Sequence, residues 1–320
     1  MRALVTGSSG HLGEALRLRL AADGHDVIGL DLLPGVATTH RGSIIDRGLV
    51  DRAMRGVDAV FHAATLHKPH VATHDEQAFV DVNVTGTLNV LKAAAGTGVG
   101  AFVFTSTTSV FGDALTPAKG APAAWIDEDV TPKPKNIYGV TKAAAEDLCA
   151  LFARNHKLPM VVLRTSRFFP EADDDERRAL AYPDGNLKLN EFLYRRVAIE
   201  DAVEAHLLAA ARAPALGFGR YVVSATTPFD REDLAELAYD APSALRRKIP
   251  AYEPVYARLG WRMFPTLDRV YVNQRARDGL GWRPRDDFAA VLARAKDGES
   301  VLGPIAARIG AKGYHRAATP

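Results

Sequence analysis

The sequence predicts an α/β fold built on a doubly wound parallel sheet, with a smaller C-terminal lobe. Three observations carry the prediction. Apolar runs of strand length alternate with helical patterns through the first half of the chain, the arrangement of parallel strands joined by crossover helices. The first strand-to-helix junction, "LVTGSSGHLG", holds Gly7, Gly10 and Gly13. The next apolar run, "HDVIGLD", ends in an acid, Asp31.

"RALVTG" is a short apolar run closed by glycine, which reads as a buried strand. "GEALRLRLAADG" follows with apolar residues at helical spacing and Gly24 as its stop. "HDVIGLD" is a second strand, and "SIID" leads to a helix, "RGLVDRAMRG". "DAVFHAAT" reads as a strand, "DEQAFVDVNVTGTLNVLKAAAGTG" as one long helix, and "AFVFTSTTSVFG" as a strand running to Gly112. A proline-rich loop, "TPKPKN", precedes the helix "YGVTKAAAEDLCALFARNHK" and the strand "PMVVLRTS". Beyond residue 165 the character changes. "PEADDDERR" reads as a charged loop, "IEDAVEAHLLAAAR" as a helix, "GRYVVSA" as a strand and "REDLAELA" as a short helix, before a closing turn and helix. The expected division is therefore a dinucleotide-binding domain over residues 1–165 and a substrate-binding part over 166–320, with residues 196–228 returning to the first sheet.

Composition excludes several classes. The 320 residues are 47% hydrophobic and 24% charged, the balance of a globular chain. A net charge of +2 without a basic stripe gives no nucleic-acid footprint. The single cysteine, Cys149, permits neither an intrachain disulfide nor a cysteine zinc site. "MRALVTG" is too short for a signal peptide, and no apolar run approaches a membrane span. The reading is a cytoplasmic protein without a metal site, acting on a small molecule.

Three glycines at a strand–helix turn have a shared physical purpose. One permits the tight turn, one lets backbone approach a pyrophosphate, and one lets helix pack on strand. The helix start then offers unpaired N–H groups and a partial positive charge. Asp31 is placed to accept hydrogen bonds from ribose hydroxyls, and its charge repels a 2′-phosphate. That combination points to NAD.

The Gly-x-x-Gly-x-x-Gly spacing, "FHAAT" at 61–65, "NVTGT" at 83–87, "FTSTTSVFG" at 104–112, "YGVTK" at 138–142 and "LGWRP" at 280–284 occur in one order. Together they resemble the extended short-chain dehydrogenase/reductase superfamily, in particular its NAD-dependent epimerase/dehydratase family, whose cofactor domain is a Rossmann fold. The resemblance covers most of residues 1–165 and is scattered thereafter. It implies a cofactor set of Gly7, Gly10, His11, Leu12, Gly13, Asp31, Ser43, Ile44, Ala63, Ala64 and Thr65, completed by Tyr138 and Lys142. It also implies a homodimer, with the helices around 74–96 and 138–155 forming a four-helix interface.

Tyr138 and Lys142 lie four apart, on one helical face. Oxidation of an alcohol needs a base for the hydroxyl proton, and reduction of a ketone needs the same group as acid. A tyrosine serves when nearby positive charge lowers its usual value near 10. The resemblance makes Lys142 that charge and the holder of the nicotinamide ribose, and it places Thr107 at the hydroxyl position that binds the reacting oxygen. Ser106 and Thr108 alternate away from that face.

Departures from the family pattern narrow the reaction. Thr108 and Ser109 stand where sugar dehydratases carry an Asp-Glu pair, so dehydration is not expected. The segment between Arg164 and Asp201 is short for one that grips a nucleotide diphosphate, and Tyr194 falls near an expected arginine, with Arg195 and Arg196 beside it. Arg164, Arg167 and Arg196 are candidate substrate residues, able to clamp a carboxylate or phosphate. Alternatively, Arg164 and Arg167 pair with Glu171 or Asp173. The expected activity is hydride transfer at a carbinol or ketone carbon of a sugar-like substrate, of epimerase type. The alternative is a net dehydrogenase or reductase on a smaller, acidic substrate, and a third is a non-catalytic dinucleotide sensor. His62 is expected to serve as a strand residue, and Trp261 and Trp282 as core or rim.

Overall fold

The computed structural model describes residues 1–173 and 175–313. Its strands are β1 (Arg2–Thr6), β2 (Asp26–Asp31), β3 (His40–Arg41), β4 (Ala59–His62), β5 (Ala101–Thr107), β6 (Ala124–Ile126), β7 (Met160–Thr165), β8 (Phe218–Val223) and β9 (Arg269–Tyr271). Seven form one parallel sheet in the order β3-β2-β1-β4-β5-β7-β8, and β6 pairs with β9 in a second. The helices that cover the main sheet are α1 (His11–Ala22), α2 (Arg47–Ala53), α3 (Thr87–Thr97), α4 (Ile137–His156) and α5 (Ile199–Leu216).

The strand sequences explain the two covered faces. Side chains alternate along a strand. Ala3, Val5, Phe61, Val103, Val161 and Leu163 pack with α1 and α5 on one side. Leu4, Val60, Phe102, Phe104, Met160 and Val162 pack with α2, α3 and α4 on the other. The chain runs outward from β1 in both directions, to β2 on one flank and β4 on the other. The reversal leaves a crevice at the carboxyl ends of β1 and β4, where such sheets bind ligands.

A second core gathers Leu189, Phe192, Leu193, Leu237, Leu245, Tyr256, Phe264 and Phe288, with helices Asp184–Glu191, Ala241–Lys248, Tyr252–Leu259 and Phe288–Lys296 around it. Between its segments the chain supplies α5 and β8 to the main sheet, β8 in register with β7. No helix among the described residues is long and apolar enough to cross a membrane.

Four local expectations are corrected. The strand expected to run to Gly112 ends at Thr107. There the Thr107 hydroxyl accepts the Ser109 amide (3.1 Å), and a 3₁₀ segment, Thr108–Leu115, takes over. The single helix expected over 75–98 is interrupted by a π-helical stretch, Val80–Gly86. The charged loop "PEADDDERR" contains the start of a helix, Glu176–Ala181, because Asp175 caps the amides of Arg177 and Arg178. The β6–β9 pair was not expected: "AWI" and "RVY" are three residues each, too short to show alternation.

Candidate active site

The crevice opens into a cavity of about 650 Å³. Gly7, Gly10, His11, Leu12, Gly13, Asp31, Ser43, Ile44, Ala63, Ala64 and Thr65 all line it. Close approach explains the glycines. A Cβ on Gly13 would lie 2.0 Å from the Gly7 carbonyl oxygen. Gly7 has φ +72°, and a Cβ there would lie 2.7 Å from the Ala64 nitrogen. Glycine at these positions lets the β1 turn, the α1 start and the end of β4 share one space. Gly10 caps α1 with no side-chain hydrogen bond, so the first-turn amides keep their donors for a ligand. Asp31 faces the same cavity, its two carboxylate oxygens accepting the amides of Ser9 and Leu33, both at 2.9 Å. This cradle fits a dinucleotide.

His62 is a strand residue, as expected, and it also ties the crevice together. Its Nδ1 lies 2.6 Å from the Thr6 hydroxyl, and its Nε2 lies 2.9 Å from the Thr87 hydroxyl. Thr6 Oγ1 in turn accepts the Ala64 amide. Burial pushes His62 down to about 3, so the ring is neutral. Asn83, on the π-helical stretch, donates to the Leu66 carbonyl and Thr141 hydroxyl, and it accepts from the Leu66 amide and Thr65 hydroxyl. The "NVTGT" motif thus anchors the loop that leaves β4.

Tyr138 is the second residue of α4. Asn136 caps that helix, its side-chain oxygen accepting the Gly139 amide at 3.0 Å. A Cβ on Gly139 would meet the Ser109 carbonyl at 2.9 Å, so the helix start sits directly on the 3₁₀ segment that follows β5. Thr107 and Tyr138 are each 8% exposed and both line the cavity. Burial raises the Tyr138 hydroxyl to about 12, opposed by hydrogen bonding with Thr107. The phenol is therefore protonated at neutral pH.

Lys142 is buried and does not line the cavity wall. Its Nζ donates to the Thr105 carbonyl at 2.6 Å and lies 4.0 Å from the Phe104 ring centre. Burial lowers it to about 7, against nearby Cys149 and Glu146.

The substrate candidates divide. Arg167 lines the cavity, donating to the Ala172 carbonyl at 2.7 Å. Arg164 and Arg196 do not, and their expected role is corrected. Arg164 is 3% exposed and grips Glu146 with Nε and Nη2, the latter at 2.8 Å. Arg196 is 1% exposed, donating to Glu191 (2.7 Å) and to the Phe169 carbonyl (3.0 Å). A buried carboxylate captures each of them. The cavity is instead also lined by Phe168, Phe169, Arg178, Arg195, Arg269 and Tyr271, with Phe169 edge-on to His11 at 5.3 Å. Arg178 donates to the Tyr194 hydroxyl at 2.7 Å, and Arg195 and Arg269 both lie over the Tyr194 ring. Sequence reasoning missed Arg269 and Tyr271, because β9 reaches the cavity only through its pairing with β6, and Arg178, because its helix, Glu176–Ala181, was expected to be a loop. Trp282 is buried in the sheet-side core, its indole N–H donating to the Asp201 carbonyl.

The model of the NAD dependent epimerase/dehydratase family matches residues 3–223. The chain belongs to that family. A 2-alkyl-3-oxoalkanoate reductase of Stenotrophomonas maltophilia is 33% identical over 289 residues, 83% of this chain and 84% of that protein. A UDP-glucose 4-epimerase of Mycolicibacterium smegmatis is 27% identical over 92% of this chain and 97% of that one. Uncharacterized proteins of Sinorhizobium fredii and Mycobacterium species also match, the chain spanning 40% and 12% of their lengths. A short-chain dehydrogenase/reductase superfamily structure from Agrobacterium tumefaciens shares the fold, with TM-score 0.67, 24% identity, and coverage of 93% of this chain and 96% of that one. NAD is the cofactor of this family, and the glycine cradle fits it.

Proposed function

We propose that this chain is an oxidoreductase that works at a carbinol or ketone carbon of a sugar-like substrate, with Thr107, Tyr138 and Lys142 as its working residues. One observation carries the reading: Thr107 and Tyr138 line the same cavity as the glycine cradle. Bound NAD supplies the hydride acceptor and donor. Thr107 orients the reacting oxygen, and Tyr138 holds the proton that passes to or from it. Lys142 places positive charge one helical turn behind the phenol. A protonated Tyr138 in the resting site suits the reducing direction, and the phenolate suits oxidation. A dinucleotide sensor needs no such proton carrier.

The family and the similarity to a UDP-glucose 4-epimerase support an epimerase-type reaction, in which oxidation and reduction follow each other on one cofactor. A specific observation favours the second reading, net reduction or oxidation of a smaller acidic substrate. The guanidiniums of the wall already have carboxylate partners. Arg195 pairs with Asp173 and with Glu191, Arg269 holds Asp268 at 2.8 Å, and Arg178 lies 3.8 Å from Asp175. Such a wall repels part of the charge of a diphosphate. The similarity to a 2-alkyl-3-oxoalkanoate reductase points the same way. Absorbance at 340 nm with NAD or NADH and a panel of sugars, uronic acids and 3-oxo acids separates the two. Steady production or consumption of NADH identifies a net enzyme, and isomerised product without net NADH identifies an epimerase.

We also read the chain as a cytoplasmic homodimer. Val80, Val140 and Leu151 are 36%, 50% and 37% exposed on the elements expected to pair across subunits. Light scattering at micromolar concentration is expected to give twice the chain mass, and a monomer removes this claim.

A further inference from the structure

The residue that captures Arg164 has no part in the scheme above, yet it lies on the same helical face as Tyr138 and Lys142. Residues 138, 142 and 146 follow at one-turn spacing along α4. Each engages a neighbouring residue at the end of β5. Tyr138 faces the same cavity as Thr107, Lys142 donates to the Thr105 carbonyl, and Glu146 accepts from the Ser106 hydroxyl at 2.6 Å. Thr165 of β7 adds a bond to the Ser106 carbonyl at 2.9 Å. Glu146 is 2% exposed, and a buried carboxylate persists only with strong partners. Arg164 provides them from β7, and Arg220 from β8 approaches to 3.5 Å.

Resting on the proposed roles of Tyr138 and Lys142, we propose that Glu146 is a positioning residue for that pair: clamped by Arg164, it fixes the strand end bearing Thr107 and favours the ammonium form of Lys142. Cys149 shares its helix, but burial keeps the thiol protonated and uncharged. His62 from β4 is neutral. Arg164 and Arg220 stand behind Glu146 and oppose it. Glu146, one turn along the same helical face, therefore acts against the desolvation that lowers Lys142.

The sign of the effect gives the test. In the NAD-bound protein, lysine labelled with ¹³C at Cε reports the Lys142 titration by NMR, the resonance being assigned by its loss in Lys142→Arg. Glu146→Gln removes the negative charge and leaves Arg164, so the midpoint is expected to fall by about one pH unit or more. Arg164→Met has the opposite sign. It removes one opposing positive charge and leaves Arg220 beside Glu146 at 3.5 Å, and the midpoint is expected to rise. The double variant removes both charges and is expected to return near the wild-type midpoint. An unchanged midpoint in either folded single variant, or shifts of the same sign, overturns the proposal. If Glu146→Gln does not fold, Arg164→Met alone decides by its direction. Tyr138→Phe, assayed at 340 nm with the substrate panel, separates the two claims. Retained turnover sinks the catalytic reading without touching the titration, and a failed titration beside a dead Tyr138→Phe sinks only the role of Glu146.

Discussion

The two sides of the cavity are built from different materials. The cofactor side is backbone and small side chains: glycines that admit close approach, Ser43, Ala63, Ala64 and Thr65, and one acid at a strand end. The side that the proposed function gives to the substrate is long charged side chains bound to one another, Arg195 with Asp173 and Glu191, Arg269 with Asp268, Arg178 with Tyr194. The first kind of surface is set by steric demands that few sequences meet. The second is set by pairing choices among residues far apart in the chain. One side is therefore rigid in its requirements and the other open to change, which is how a shared cofactor chemistry is fitted to different substrates.

The largest expected effect lies where the two sides meet. Tyr138→Phe removes the proton carrier and leaves the cradle intact. Turnover should fall by about 100- to 10,000-fold, while NAD affinity by calorimetry stays within a few-fold of wild type. Near-normal turnover would remove Tyr138 from the mechanism.

The next tests the steric side alone. Gly13→Ala places a methyl group 2.0 Å from the Gly7 carbonyl, and backbone on both sides has to move. NAD binding should weaken by about 100-fold or more, corresponding to roughly 3 kcal/mol. Gly96→Ala is the control: a Cβ there meets nothing within 4 Å inside α3. Helix propensity predicts a gain of about 0.5–1 kcal/mol in stability by thermal unfolding, with NAD affinity unchanged. Equal effects of the two substitutions would break the steric account of the cradle.

This contrast also explains how much was legible in the sequence. The sheet, its crossovers and the full set of cavity-lining glycine-turn residues follow from alternation, spacing and the demand for glycine at three close contacts. Thr107 and Tyr138 were expected from the resemblance of "FTSTTSVFG" and "YGVTK" to the family's motifs, and both line the cavity. Arg164 and Arg196 show the limit. Their positions beside a strand end and a helix start marked them as wall residues, but the partners that bury them, Glu146 and Glu191, sit on other elements. No local pattern says which of four neighbouring arginines a carboxylate will claim. Arg269 and Tyr271 were invisible for a different reason: a three-residue strand carries too little pattern, and its place depends on pairing with residues 124–126.

A third expectation sharpens the split among the arginines. Arg178→Met and Arg269→Met alter groups that line the cavity, so each should raise KM for an acidic substrate by about tenfold with a smaller change in kcat. Arg164→Met should leave KM within about twofold. The reverse ranking would return Arg164 to the substrate wall. In the same protein, calorimetry with UDP in the presence of NAD should show no micromolar binding. Tight UDP binding would restore a nucleotide sugar as substrate in spite of the paired wall.

The smallest expected effect concerns cofactor choice. Asp31 accepts two backbone amides, from Ser9 and Leu33, and it lines the cavity at the end of β2. Its charge adds to the negative charge of a 2′-phosphate, and like charges held close cost binding energy that salt only partly screens. Wild type should bind NAD more tightly than NADP. Asp31→Asn keeps an oxygen for one amide while removing the charge, so it isolates the electrostatic part. Asp31→Ala removes both the charge and the acceptors. Asn should narrow the NAD preference by about tenfold, near 1.4 kcal/mol, chiefly by improving NADP binding. Ala should narrow it further while also weakening NAD, because the Ser9 and Leu33 amides lose their acceptor. Parallel titrations of both cofactors against the three proteins measure this directly. If wild type prefers NADP, or if Asn leaves the ratio unchanged, Asp31 serves only to fold the turn and the cofactor side owes its selectivity to another group.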